Sequence, residues 1–304
     1  MYNPYGGQYG PYYGRPQFNP LLEERRNISR VSNGLGFASL LFVVSITVWN
    51  VLTVGFLNLV GYNSHGWYAE FSGLHPVLYY LNTGVIYCLS LLIPFGLLLK
   101  IRRIPVSAAL PFQKTKPLSA ICYVLFGASI CLLANIPANI VSSLLQQFGF
   151  SGTLPSEPET DILGAKILYA ITIAVIPPLF EEFAFRGVVL SSLRKYGDWF
   201  AIVCSSVLFA LFHGNFIQIP FAFLSGLVLG LAVVRTNNLW TSVAIHFLNN
   251  GFAVFQEFLM PYVSVHRGKV SGYELLQSPS NFQSDMVTRR LPHNLQRQRK
   301  PIRQ

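Results

Sequence analysis

In the stretch IPPLFEEFAFRG, residues 176–187, Glu181, Glu182 and Arg186 stand inside sequence that is otherwise apolar on both sides. A charge at the centre of a membrane helix costs roughly 2.5–3.5 kcal/mol on insertion scales, so such groups persist where they pair or do chemistry. Glu182 and Arg186 are four residues apart, share a helix face and can neutralise each other. Glu181 is turned about 100° away and lacks a partner on its own helix. Candidate partners come from two other apolar runs: VLFALFH ends in His213, and AIHFLNN carries His246 with Asn250 one turn later on the same face. The remaining histidines, His65, His75, His266 and His293, fall in loops or tail.

One carboxylate, two histidines and an asparagine support two ways of hydrolysing an amide. In the first, Glu181 is general base on a water, assisted by His213, while His246 and Asn250 donate hydrogen bonds to the oxyanion. In the second, Glu181, His213 and His246 hold a zinc ion with one position open to water. The HExxH spacing that would make a metal specific is absent, so the metal-free arrangement, which needs no cofactor, is preferred. Glu182 with Arg186 reads as structural support, and Asn250 taken alone would be interhelical glue. Gly226 and Gly230, four apart, read as a close helix crossing, and Phe185 and Phe209 as lining.

These residues need helices to position them. Apolar runs occupy about 34–60, 77–101, 118–147, 163–195, 198–213, 216–235 and 239–262, each near the roughly 20 residues that span a bilayer core. The expectation is an all-α polytopic membrane helix bundle with about seven or eight transmembrane helices. Counted along straight helices, Glu181 and His213 lie about 20 Å deep and His246 about 10 Å shallower, so a tilt or break is required for them to meet. Pro177 and Pro178, directly before the glutamates, offer that break.

Composition supports the membrane reading: 52% of the 304 residues are hydrophobic and 11% charged, with a mean hydropathy of +0.43, against about 25% charged in soluble domains. The formal charge of +10 comes largely from a tail (Arg289, Arg290, Arg297, Arg299, Lys300, Arg303) and from loops, so it indicates headgroups of a lipid bilayer rather than nucleic acid. Cys88, Cys122, Cys131 and Cys204 lie in apolar runs without CxxC spacing, which argues for packing rather than disulfides. Residues 1–33, rich in Tyr, Gly and Pro, read as a low-complexity flexible tail, followed by N-terminal transmembrane helices (34–162), a catalytic membrane domain (163–262) and a basic tail (263–304). Basic residues at Arg25, Arg26, Arg30 and between Lys100 and Lys116 place the N-terminus in the cytoplasm; Lys- and Arg-free 61–76 and acidic 151–161 fall on the other side. Seven crossings put the basic C-terminal tail outside, and an eighth membrane segment or a half-crossing near 198–235 would reverse that.

EEFAFR at Glu181–Arg186, FALFH ending at His213 and HFLNN from His246 to Asn250 resemble, in order, the EExxFR, FxxxH and HxxxN motifs of the CAAX protease and bacteriocin-processing (CPBP, or Abi) intramembrane proteases. The resemblance covers about 163–262. It implies a multi-helix endopeptidase in a bacterial plasma membrane, acting on a peptide or membrane-protein substrate, with Glu181, Glu182, Arg186, His213, His246 and Asn250 as the motif residues. The family has been described both as metalloproteases and as glutamate-based. Two other classes compete: a non-catalytic bacteriocin-immunity or envelope scaffold protein, and a proton-coupled transporter, which internal repeats would favour and which the sequence lacks.

Overall fold

The computed structural model describes residues 19–59, 74–150 and 160–266, with side chains described as far as Phe258. The glycine- and tyrosine-rich stretch before Asn19, most of the Lys- and Arg-free connection at 61–76 and of the acidic one at 151–161, and the basic tail after His266 lie outside the described residues. The chain divides into two units, Met1–Val254 and Phe255–Gln304; the second is described only as helix through His266.

Among the described residues the first unit is helical, apart from a single isolated bridge between Phe112 and Asn238. The elements are α1 (Pro20–Leu59), α2 (Pro76–Ile101), the short α3 (Val106–Ala109), α4 (Pro117–Leu133), α5 (Asn135–Gln147), α6 (Leu163–Ala174), α7 (Ile176–Glu181), a π-helical segment Glu182–Leu190, α8 (Ser191–Leu193), α9 (Asp198–Phe212), α10 (Gln218–Thr236) and α11 (Leu239–His266). Among the described residues five helical stretches are long and apolar enough to cross a membrane: α1, α2, α4–α5, the run from α6 to Tyr196, and α10. Their outer faces carry exposed aliphatic side chains, Val51 and Leu125 each more than half accessible, as a lipid-facing surface requires. The protein is an integral multi-pass membrane protein.

One detail differs from the sequence expectation. Helix α1 begins at Pro20 rather than near Gly34, so Arg25, Arg26 and Arg30 sit on a helix and not in a tail. Asn19 explains the early start: its Oδ1 accepts from the backbone N–H of Leu21 at 3.1 Å, and Pro20 follows at the first helical position, where its missing N–H costs nothing. Of the seven apolar runs read from the sequence, five meet the length and composition of a crossing among the described residues; α9, at 15 residues, spans roughly 22 Å, short of a 30 Å core, and α11 is helical through His266.

The centre of the unit is the π-helical segment. Of its nine residues only Phe183 is not buried, and a helix that is buried on all sides belongs to a core. Around it stand α2, contributing Leu91 and Phe95, α9, contributing Ile202 and Phe209, and α10, contributing Ala222 and Val233. Small residues permit the close approaches. A Cβ on Gly226 would lie 2.9 Å from Ser206 Cβ, and one on Gly230 would lie 3.3 Å from Ile202 and Leu190 atoms; the glycine pair is the close α9–α10 crossing that its spacing indicates.

The charged connections collect at one end. Leu239 N–H donates to the Pro111 carbonyl at 2.7 Å and Gln113 N–H to the Asn237 carbonyl at 3.1 Å, while Arg194 reaches Asn237 Oδ1 at 3.1 Å and Asp198 at 3.0 Å. Asn237 adopts a left-handed conformation (φ 47°) at the end of α10, which asparagine tolerates better than most residues. Lys100, Arg102, Lys114, Lys116, Arg194, Lys195 and Arg235 therefore flank one end of the bundle. The four cysteines are free thiols.

Candidate active site

The glutamates are placed by a break in the long hydrophobic stretch Leu163–Tyr196. Pro177 has no N–H, so the carbonyl of Ile173, four residues earlier, loses its helical donor. Helix α6 accordingly ends at Ala174, and Pro177 and Pro178 fall in the first turn of α7, where proline is tolerated. The orphaned carbonyl is recaptured from another helix: Asn250 Nδ2 donates to Ile173 O at 2.9 Å. Asn250 thus fastens α11 to the break, and its Oδ1 accepts from Asn249 Nδ2 at 3.1 Å.

Glu181 closes α7 and Glu182 opens the π-helical segment, a form that recurs at functional positions inside helices. Both glutamates are buried, Glu182 completely. Glu182 Oε1 accepts from Arg186 Nη1 at 2.9 Å and lies 3.0 Å from His246 Nδ1. Arg186, also fully buried, donates from Nη2 to the Gly226 carbonyl at 3.3 Å and lays its guanidinium 4.2 Å from the centre of the Phe209 ring. The charge pair is therefore tied to α10 and α9 as well as closed on itself.

Glu181 is held differently. Its Oε1 accepts the hydroxyl of Tyr87 from α2, and its Oε2 has no hydrogen-bond partner among the described residues. That oxygen lies 3.8 Å from His246 Nε2. One imidazole thus stands between the two adjacent carboxylates, Nδ1 toward Glu182 and Nε2 toward Glu181. The proline break and the π-helical segment supply the departure from straight helices that the depth count demanded.

His213 caps the C-terminal end of α9, half-buried, its Nδ1 2.9 Å from the Phe209 carbonyl of its own helix. Its ring packs edge-on to Phe209 at 5.0 Å, and Phe209 packs edge-on to His246 at 5.8 Å. Phe209 is thus the shared wall of both histidines and of Arg186. The structure brings Glu181, Glu182, Arg186 and His246 into one contiguous network, sets His213 beside it at the Phe209 ring, and uses Asn250 at the helix break. Among the described residues no group of three His, Cys, Asp or Glu side chains could hold a metal ion. His213 Nδ1 is turned to its own helix, which leaves Nε2 as its free ring nitrogen.

Tyr87 is the member of this network that sequence reasoning missed. It lies in the long apolar run of α2 and is one of 15 tyrosines, so neither spacing nor composition sets it apart.

Residues 163–252 match the family described as type II CAAX prenyl endopeptidase Rce1-like. This segment of the chain resembles the CAAX-protease family. The matched segment contains all six charged and polar motif residues, whereas Tyr87 lies outside it. Over 147 residues the chain is 32% identical to the membrane-embedded CAAX protease MroQ of Staphylococcus aureus (strain USA300), covering 46% of this chain and 59% of that protein. It is 26% identical over 98 residues to YdiL of Bacillus subtilis (strain 168), named as a candidate membrane peptidase, covering 32% and 40%. An uncharacterized 24.3 kDa protein of Escherichia coli is 32% identical over 105 residues, covering 31% and 48%. The chain therefore spans between 40% and 59% of the length of these relatives. No solved structure matches.

Proposed function

We propose that the chain is an intramembrane endopeptidase that hydrolyses a peptide bond in a peptide or membrane-protein substrate through a water activated by Glu181. The observation that carries this reading is the difference between the two glutamates: each keeps its Oε2 without a hydrogen-bond partner, but Glu182 Oε1 is engaged by both Arg186 and His246, whereas Glu181 forms no ion pair with Arg186 and its free Oε2 lies 3.8 Å from His246 Nε2. Tyr87 fixes the other oxygen of Glu181, so the free one has a defined direction in which to take a proton from water.

Glu182 fixes the orientation of His246 by accepting at Nδ1. In its doubly protonated form the ring then offers Nε2–H to the oxyanion of a tetrahedral intermediate, a role in which a fixed donor outperforms mobile solvent. Asn250 has one amide hydrogen on Ile173 O and a second for the same oxyanion. His213, on the far side of Phe209, assists at the water. Each step uses side chains of this chain alone.

The basic end of the bundle is assigned to the cytoplasmic face of a bacterial plasma membrane, with the N-terminus in the cytoplasm, since lysine and arginine in short connections set orientation. The test needs no prior substrate: peptide termini are compared by mass spectrometry in host membranes carrying wild type or Glu181→Ala at matched levels. Termini confined to wild type identify a protease and its substrate together. Identical termini from two folded proteins reject the reading and favour a binding or transport role.

A further inference from the structure

Away from these residues, the basic end of the bundle contains a cavity of about 230 Å³ lined by Arg102, Lys195, Ser191 and Ser192 over an apolar floor that includes Val31 and Leu98. No carboxylate lines it, and among the described residues neither cation is in an ion pair. Arg102 is half-buried and steadied by donating to the carbonyl of Arg30 on α1, which leaves the rest of its guanidinium fork available. Lys195 is exposed, with its ammonium over the Tyr196 ring. Ser191 donates to the Arg186 carbonyl at 3.3 Å, so the back wall is the turn that follows the π-helical segment.

Two cations and the Ser192 hydroxyl around one space match the oxygens of a phosphate group. The floor indicates where that phosphate comes from. Leu98 lies in the last turn of α2 just before Lys100, and Val31 lies just before the apolar run of α1. The cavity therefore sits where apolar helix surface gives way to charge, at the depth of lipid headgroups, and basic pockets between membrane helices suit anionic headgroups. A soluble anion would have no use for the aliphatic floor, which can cover the first part of an acyl chain.

We propose that this cavity binds the headgroup phosphate of an anionic phospholipid, with Arg102 and Lys195 on its oxygens and the acyl chains leaving along Val31 and Leu98. The site is independent of the proteolytic reading. In the test, the full chain in detergent is titrated with phosphatidylglycerol, phosphatidylcholine or inorganic phosphate while its thermal midpoint is followed. Phosphatidylglycerol raises the midpoint saturably and the other two do not. Lys195→Gln weakens the apparent affinity about fivefold, the worth of one charge near such a surface, Lys195→Arg preserves it, and Arg102→Gln with Lys195→Gln abolishes the response. Lys195 is exposed, so its single variants remain informative where the double variant does not fold. An unchanged phosphatidylglycerol response in Lys195→Gln overturns the proposal. So does an equal rise with inorganic phosphate, which assigns a soluble anion, or with phosphatidylcholine, which removes charge selection.

Discussion

His246 Nδ1 and Glu182 Oε1 lie 3.0 Å apart inside the bundle, and this contact changes the meaning of the glutamate. Read along the sequence, Glu182 is the neutraliser of Arg186. In the fold its oxygen is shared between Arg186 and His246, so the residue that holds the charge pair also sets the direction of the ring facing Glu181.

Replacing Glu182 should therefore damage the fold first. Glu182→Ala leaves a fully buried arginine without its counter-ion, a loss of about 3–5 kcal/mol for a broken buried pair. The expected result is a large fall in thermal midpoint in detergent and a low membrane level. Wild-type stability for this variant would show that the pair does not hold the helix.

Glu181 and Tyr87 should behave in the opposite way. Glu181→Gln keeps the shape and loses the base, so a folded, inactive protein is expected. Tyr87→Phe removes one hydrogen bond to a charged acceptor, worth about 1.5–3 kcal/mol. Turnover should drop roughly ten- to hundredfold while KM and thermal midpoint stay near wild type. A change confined to KM, or to stability, would assign Tyr87 to substrate binding or packing instead.

How far the sequence announced this site follows from range. Glu182 with Arg186, the Gly226 crossing and the need for a break at Pro177 are local or periodic features, and each is visible in spacing alone. The pairing of His246 with Glu182, 64 residues away, is not, because the choice between two adjacent carboxylates depends on the helix path through the π-helical segment. Tyr87 depends on how α2 packs beside α7, and no local pattern encodes that. The start of α1 at Pro20 was legible in Asn19 and Pro20 as a cap pair, but the charged residues that follow disguised it as tail.

His213 separates a catalytic from a packing role. It is half-buried and bonded within its own helix, so His213→Ala should change stability little. Activity should nonetheless be lost when its ring assists the water across Phe209. A fully active His213→Ala enzyme would remove it from the mechanism and leave Glu181 and His246 as the working pair.

The glycines of α10 should differ in sensitivity. At Gly226 an added Cβ meets the Cβ and backbone of Ser206 at 2.9 and 3.1 Å, atoms that cannot swing away, and the Gly226 carbonyl also accepts from Arg186. Gly226→Ala should cost about 1–3 kcal/mol by overpacking and reduce activity through displaced Arg186. At Gly230 the contacts are 3.3 Å to side-chain carbons of Ile202 and Leu190 and none of the nearest atoms is backbone, so Gly230→Ala should cost less than Gly226→Ala. Equal midpoints for the two variants would contradict the crossing geometry.

The strictest test of the site's architecture lies in Pro177 and Asn250. Pro177 deprives Ile173 of its helical donor, and Asn250 supplies a replacement at 2.9 Å. Asn250→Ala should then cost about 1–3 kcal/mol, the price of an unpaired buried carbonyl. Pro177→Ala restores a backbone N–H at the position from which a helix would serve that carbonyl. The double variant should accordingly recover part of the stability lost in Asn250→Ala, a non-additivity measurable as a coupling energy in thermal unfolding. Activity should not recover with it, since the second amide hydrogen assigned to the oxyanion is still missing. Additive stabilities would separate the proline break from Asn250, and recovered activity would make Asn250 a fastener of the helix break with no hand in the chemistry.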